Sequence, residues 1–363
     1  MRLDDDGDAL VTRVLGEFPH VCGAFAYGSA IFEQRGYTTA QRRDAMIDLI
    51  FVVDDAARWH ADNMAGGNAA HYSGIAYFGG RAVAEVQHAG GGMYYNHANV
   101  HGRRLKYGVI TRHALNDDLQ AWSSLYASGR LHKPVRVLTP WPEDIAPHVA
   151  SNLRAAVYAS LLLLPSRFDG DTLLSAICNL SYEGDVRMGI GESNRKPGNI
   201  AAGQRAALGH LYAPSLRALE AEGYTVSDAN APAPTGTQGS MWDGSSLIEQ
   251  DASLDARRRL LAALPSNAQR ALLLELRPSL ISTEGTGACL DEAARTLWRG
   301  AKSEHEANRQ LSAALRTSLR RIVYRSSLAQ TAKGIATAGV ATSIAYAVGK
   351  IRKRLGQDRQ GGA

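Results

Sequence analysis

Long apolar runs are missing from this chain. The longest, such as Leu161–Leu164, fall far short of the roughly 18 consecutive apolar residues that a bilayer-spanning helix needs. A helical span is therefore excluded, and if the protein meets a membrane it lies on the surface. Cysteine is scarce as well. Cys22, Cys178 and Cys289 are odd in number, far apart and without metal-ligand spacing, which points to a reducing compartment and predicts no disulfide. Met1–Leu10 is acidic and has neither the apolar centre of a secretory signal nor the Arg/Ser-rich amphipathic pattern of a transit peptide, so no cleaved targeting segment is expected. Nor is there an internal repeat or the charge excess of a disordered chain, since 45% of residues are hydrophobic and 21% charged.

What is present is a folded chain of 363 residues, a length that favours two domains of about 100–200 residues each. Its net charge of +5 and pI near 9.1 suit anionic partners such as nucleotides, nucleic acid or acidic lipid headgroups, without choosing among them. Val21–Tyr27 and Ala45–Val53 read as short buried strands, the first ended by Gly28-Ser29 and the second by Asp54-Asp55. Gly74–Phe78, Ala82–Gln87 and Leu105–Ile110 are further strand candidates. From Asp144 the spacing becomes helical, with Leu153, Val157, Leu161 and Leu164 on one face before Pro165. The reading is an α/β domain over 1–145, a mainly helical domain over 146–325 for which a winged-helix-like form stays open, and a tail over 326–363. Residues 227–240, rich in Pro, Gly and small polar residues, read as a flexible loop.

Two features of the first domain could carry chemistry. Tyr27-Gly28-Ser29 puts a small, pliable pair directly after a strand, where backbone N–H groups and the Ser29 hydroxyl can approach a triphosphate; an ordinary strand-ending turn looks the same. Asp48 lies inside an apolar strand, on the same face as Ile50, Val52 and Asp54. A carboxylate there needs a partner, either a structural cation or a metal. Together, a strand and Gly-Ser turn followed by an acid on a second strand match the layout of polymerase-β-type nucleotidyltransferases, which use Mg²⁺ on carboxylates to orient phosphates.

A closer resemblance follows. AYGSAIFEQ (26–34), MIDLIFVVDD (46–55), WHADN (59–63), HYSG (71–74), YYN (94–96), LKYGVI (105–110), LYASGRLHKPV (125–135), LSYEGDVRMGIGE (180–192) and RSSLAQTAKGIATAG (325–339) resemble successive blocks of the mitochondrial phosphatidate cytidylyltransferase family, in its order. Only about 221–304 has little family text. The resemblance implies an enzyme that makes CDP-diacylglycerol and pyrophosphate from CTP and phosphatidic acid with Mg²⁺, its product feeding phosphatidylglycerol and cardiolipin synthesis. It implies that CTP lies between Gly28-Ser29 and the acidic strand, with Tyr27, His71, Tyr72, Lys133 and Arg187 at the nucleotide and Lys106 in a catalytic role.

One departure from the general superfamily pattern matters. The second acid expected two positions after Asp48 is Ile50, and the spacing from Ser29 to Asp48 is longer than usual. A second metal carboxylate must come from Asp54, Asp55 or Asp185, of which Asp55 is favoured slightly over Asp185; turn or helix capping is the structural alternative for each. Lys106, Lys133 and Arg187 could hold phosphates or stand solvated. His97 and His101 are four apart, but their Asn- and Gly-rich surroundings do not read as a helix and no further ligands complete a zinc set.

At the C-terminal end, Ile344, Val348, Ile351 and Leu355 fall on one helical face, and Lys350, Arg352, Lys353 and Arg354 cluster beside them. Such a helix either packs on its own domain or docks on anionic lipid, gaining about 1 kcal/mol per basic residue. Docking is the preferred reading, because a diacyl substrate stays in its bilayer. No nucleic-acid partner is expected. The expected location is the cytoplasmic face of a bacterial inner membrane, with the matrix side of the mitochondrial inner membrane as alternative. Transfer to a different acceptor, and a non-catalytic membrane adaptor, are the rival functions.

Overall fold

A computed structural model describes residues 13–32, 45–188, 193–227, 247–276 and 286–338. The first half is built on a five-stranded mixed sheet. Its strands are β1 (Gly23–Tyr27), β2 (Ile47–Val53), β3 (Met93–Val100), β4 (Arg103–Thr111) and β5 (Arg136–Thr139), in the order β3-β4-β2-β1-β5. Only the β2–β4 pair is parallel. β2 is apolar almost throughout because both of its faces are covered, as expected of a central strand. Ile47, Leu49, Phe51 and Val53 join one core with Trp59 and Ala84, while Ile50 and Val52 join another with Leu115, Leu119 and Leu131.

Helices α1 (Ala56–Asn63) and α2 (Gly79–His88) cover the first of these faces. Here two strand expectations are corrected. Gly74–Phe78 is a 3-10 turn, and Ala82–Gln87 belongs to α2. Gly80, Val83, Ala84 and Gln87 are the buried positions of α2, an i, i+3, i+4, i+7 set that makes a helical stripe. Gly80 permits the packing, since a Cβ there would overlap the backbone of Ala57 and Ala61.

The opposite face is covered by α3 (Arg112–Ala121) and the short helix α4 (Ser128–Leu131). The second half is mainly helical: α5 (Ala146–Leu163), α6 (Gly170–Asn179), α7 (Lys196–Gly203), α8 (Arg205–Ala221), α9 (Leu254–Ala262), α10 (Ser266–Leu276), α11 (Thr286–Gly300) and α12 (Glu304–Ala338). A small antiparallel sheet accompanies them, with β6 (Arg167–Asp169), β7 (Thr225–Ser227) and β8 (Leu247–Gln250) in the order β6-β8-β7. α5 spans Leu153, Val157 and Leu161 and ends against Leu164, where the sequence placed its stop.

α12 passes through the helical core at Leu311, Leu315 and Leu319, then returns to the sheet half. Ser326 Oγ donates to the Ser124 carbonyl (2.8 Å), Gln330 Nε2 to that of Met93 (3.2 Å) and Lys333 Nζ to that of Ala89 (2.7 Å). Residues 326–338 of the expected tail thus belong to α12. Its amphipathic basic stretch, from Ile344 to Leu355, lies outside the described residues, as does the loop expected at 227–240 apart from Ser227 in β7.

Candidate active site

Strand register builds the site. Tyr27 pairs with Asp48, Asp48 with Lys106, and Lys106 with His97, so the four side chains form a row across one sheet face. The next row on that face is Phe25, Ile50, Gly108 and Tyr95. The covered part of the face is apolar; the polar row lies where that cover ends. Asp48 accepts no hydrogen bond and makes no ion pair among the described residues. It sits against the turn after β1: a Cβ at Gly28 (φ +88°) would lie 2.8 Å from Asp48 Oδ2. The Gly28 carbonyl accepts from the N–H groups of Ile31 (3.1 Å) and Phe32 (2.9 Å), so the chain turns at once and holds Ser29 beside the acid.

Lys106 does not pair with its neighbour Asp48. Its ammonium rests over the Tyr95 ring, 4.3 Å from the centroid. Gly108 makes this possible, because a Cβ there would lie 2.7 Å from Tyr95 Cε1. Across the cleft, Arg130 lies over the rings of Tyr27 (4.6 Å) and Tyr126 (5.4 Å). Lys133 donates to the Gly129 carbonyl and to Ser181 Oγ, both at 2.6 Å. Arg187 grips Asp185 through Nε to Oδ1 (2.9 Å) and Nη2 to Oδ2 (2.5 Å).

The electrostatics follow from this crowding. Burial, reinforced by Arg130 and Lys196, lowers the Lys133 ammonium to about 7. Burial would raise the Tyr126 phenol, but Arg130, Arg187 and Lys106 together pull it below the ordinary tyrosine value. For Asp185, burial is likewise outweighed, here by the hydrogen bonds from Arg187, and its carboxyl stays below the usual range. Lys106, Arg130, Lys133 and Arg187 bring positive charge to this region, and Asp48 has no hydrogen-bond or ion-pair partner among the described residues.

The structure brings Tyr27, Gly28, Ser29, Asp48 and Lys106 together, and it sets Lys133, Asp185 and Arg187 in one recess with Arg130, which lies over Tyr27. It does not gather the others. Asp55 caps α1, accepting from Arg58 N (3.0 Å), and Asp54 faces Arg112 (3.6 Å). Both follow the far end of β2, seven and six residues from Asp48, which at the rise of a strand is about 20 Å; one ion cannot touch Asp48 and either of them. His71 and Tyr72 lie on the opposite sheet face. His71 Nδ1 meets the Tyr107 hydroxyl (3.1 Å), and the Tyr72 hydroxyl meets His60 Nδ1 (2.8 Å). His97 faces Lys106 across the strands, while His101 in the β3–β4 turn pairs with Glu17 (3.0 Å).

Residues 11–353 match the family model described as phosphatidate cytidylyltransferase, mitochondrial. The chain belongs to this family. Relatives bearing the same name occur in Xenopus laevis (34% identical over 353 residues, 96% of this chain and 95% of the relative) and Drosophila melanogaster (34% over 361 residues, 95% and 98%). A third, from Schizosaccharomyces pombe, is 33% identical over 335 residues, 92% of this chain and 80% of its own.

Within this cytidylyltransferase framework, three residues escaped the sequence reading. Arg130 and Tyr126 belong to the same family block as Lys133, LYASGRLHKPV, but nothing in their local sequence sets them apart. Asp118 reads as a solvated acid of an amphipathic helix, yet it is buried. Its Oδ1 accepts from the N–H groups of Ser124 (2.7 Å) and Leu125 (2.9 Å), and its Oδ2 from those of Ala127 (2.9 Å) and Ser128 (2.8 Å). That carboxylate fixes the loop that carries Tyr126 and leads into α4, on which Arg130 stands. Only a run of backbone donors with no helix or strand to join, Ser123–Ser128, could have signalled it. No described helix is long and apolar enough to cross a membrane.

Proposed function

We propose that this chain transfers the cytidylyl group of CTP to phosphatidic acid, giving CDP-diacylglycerol and pyrophosphate, on a polymerase-β-type nucleotidyltransferase sheet. The observation that carries the reading is Asp48: a carboxylate with no hydrogen-bond or ion-pair partner among the described residues, pressed against the Gly28-Ser29 turn and in one row with Lys106. Its relatives carry the same activity in their names.

The residues fit Mg²⁺. Asp48 offers hard oxygen donors that no described residue engages, and Mg²⁺ is ordinarily held by one or two carboxylates together with substrate phosphates and water. Asp185 is the one other carboxylate of the expected set in the cleft, and both its oxygens serve Arg187. When bound, Mg²⁺ supplies charge neutralisation on the triphosphate.

The chain does the rest. Gly28 and Ser29 cradle the triphosphate, and Lys106 leaves the Tyr95 ring to meet it. A phosphate oxygen of phosphatidic acid attacks the α-phosphorus of CTP; the bond from that phosphorus to the oxygen bridging to the β-phosphate breaks, and pyrophosphate departs with the electron pair. The attacking phosphate is already ionised near neutral pH, so no side chain has to remove a proton, and positioning with charge stabilisation suffices. The basic tail beyond Ala338 brings the enzyme to anionic lipid as a peripheral protein. The word mitochondrial in the names of its relatives favours the mitochondrial alternative over a bacterial inner membrane.

Pyrophosphate release from CTP, Mg²⁺ and phosphatidic-acid vesicles tests this, with ATP, GTP and UTP as controls. Release with CTP and phosphatidate alone, and a CDP-lipid product, is expected. Asp48→Asn should cut the rate by at least about 100-fold with an unchanged melting temperature; a variant that keeps its rate removes Asp48 from the reaction.

A further inference from the structure

Beyond the Asp48 floor, the cleft continues into a recess between the sheet half and α12, lined by Tyr126, Arg130, Lys133, Ser181, Asp185 and Arg187. Its charges do not cancel. Among the described residues three cations share one carboxylate, and both oxygens of that carboxylate are taken by Arg187. Lys133 has only neutral acceptors among those residues, the Gly129 carbonyl and Ser181 Oγ. Arg130 makes no ion pair among the described residues; it rests on aromatic faces, and its Nε is sealed from solvent without a hydrogen-bond acceptor. The hydroxyls of Tyr27 and Tyr95 beside it are likewise buried without a hydrogen-bond partner among the described residues.

Buried donors and cations in a folded protein normally have partners, because an unmatched one costs more than its desolvated neighbour returns. Here two cations without an acidic partner among the described residues, Arg130 and Lys133, line one recess, and Asp118 uses a buried carboxylate to hold the loop that leads into Arg130's helix. What is lacking is an anion with about two negative charges and several acceptor oxygens, which describes a terminal phosphate group. Two ligands of the proposed reaction carry such a group: phosphatidic acid, and CTP at its γ-phosphate.

We infer that the recess formed by Arg130, Lys133 and Ser181 is the binding site for the phosphomonoester of the acceptor lipid. The triphosphate has its own cradle at Gly28-Ser29 and Asp48, and Arg130 lies on Tyr27, the residue that joins the two sites. The acceptor phosphate is thereby held next to the nucleotide. The low Lys133 value agrees with an ammonium waiting for an anion. This inference rests on the proposed function for the identity of the lipid, but the recess can be probed without turnover.

The experiment measures equilibrium binding of dihexanoyl-phosphatidate and, separately, of CTP with Mg²⁺, to the full chain and to its Arg130→Gln and Lys133→Gln variants. Thermal melts check the fold. Binding of the short lipid should weaken at least about 30-fold in both variants, of the order expected for loss of one charged hydrogen-bonding partner, with CTP affinity changed less than about 3-fold. Arg130→Lys should recover part of the loss. Parallel loss of CTP affinity would assign the recess to the triphosphate and overturn the inference; so would unchanged lipid binding in whichever variant folds. Short-lipid binding that needs Arg130 in a protein that never releases pyrophosphate would sink the proposed reaction and leave the recess standing.

Discussion

Asp48 keeps its place because position 28 has no side chain. Gly28 combines a φ of +88° with a contact that only hydrogen can make, so alanine there meets two separate penalties. The backbone strain is about 1–2 kcal/mol, and the displacement of a carboxylate by even an ångström can lower the rate about 100-fold. Gly79 separates them: its φ is +83°, yet a Cβ there would touch nothing within 4 Å. Gly79→Ala should therefore lose a similar amount of stability and keep its kcat, while Gly28→Ala loses kcat well beyond what its melting temperature explains. Equal kcat in the two variants would refute the claim that this contact sets the geometry of the acid. At this scale the sequence was most legible where chemistry conflicts with environment, as with an acid inside an apolar strand. Arg130 and Asp118 were not legible, because an arginine in a loop and an aspartate in a helix look solvated until the fold buries them. Asp55 was misleading for a simpler reason. Sharing a strand with Asp48 suggests proximity, but seven residues of extended chain separate the two.

Elements were read well when their periodicity was unmixed. β2 and α5 stand where the pattern put them, whereas α2 was taken for strand because its AVAEVQ segment also alternates and its first buried residue is a glycine. β3 was passed over since Asn96, His97 and Asn99 interrupt its apolar residues, the mark of a strand that serves a polar site and a polar network at once. That network joins α1, the loop after it and β4. His60 Nε2 meets Gln87 Oε1 at 2.8 Å and its Nδ1 the Tyr72 hydroxyl, while Asn63 Nδ2 donates to both Tyr72 and Tyr107. Burial lowers His60 from 6.5 to about 4, only partly opposed by the Gln87 bond. The unfolded chain then binds the extra proton between those values, so the stability His60 contributes is complete above pH 6.5 and is lost as pH falls toward 4, by about 3 kcal/mol in all. Urea unfolding from pH 7 to 4.5 should show His60→Gln with a shallower loss than the native chain. Identical slopes would mean that this histidine is not held neutral by its packing.

The molecule as a whole depends on one long helix. α12 fills the helical core with its first turns and then fastens onto the sheet half through Ser326, Gln330 and Lys333. Between these two grips, Val323, Ser326 and Ser327 form one wall of the phosphate recess, and Ser327 Oγ accepts from Val186 N (3.2 Å) next to Asp185 and Arg187. The carbonyls that Lys333 and Gln330 satisfy belong to the segment from Gln87 to Met93 that leads into β3. Gly90 brings that segment close, since a Cβ there would lie 2.8 Å from the Ala329 Cβ. Removing the clasp leaves those carbonyls without their donors, at about 1–3 kcal/mol for each that stays buried. The cost falls on the contact between the halves, because none of the three hydrophobic cores loses a side chain. Gln330→Ala combined with Lys333→Ala should therefore split a single urea transition into two, with the helical half melting last, and should weaken short-lipid binding at Arg130 in conditions where both halves remain folded. A single transition, shifted but unsplit, would show that the halves cohere through their cores instead, and that α12 serves the recess only as a wall.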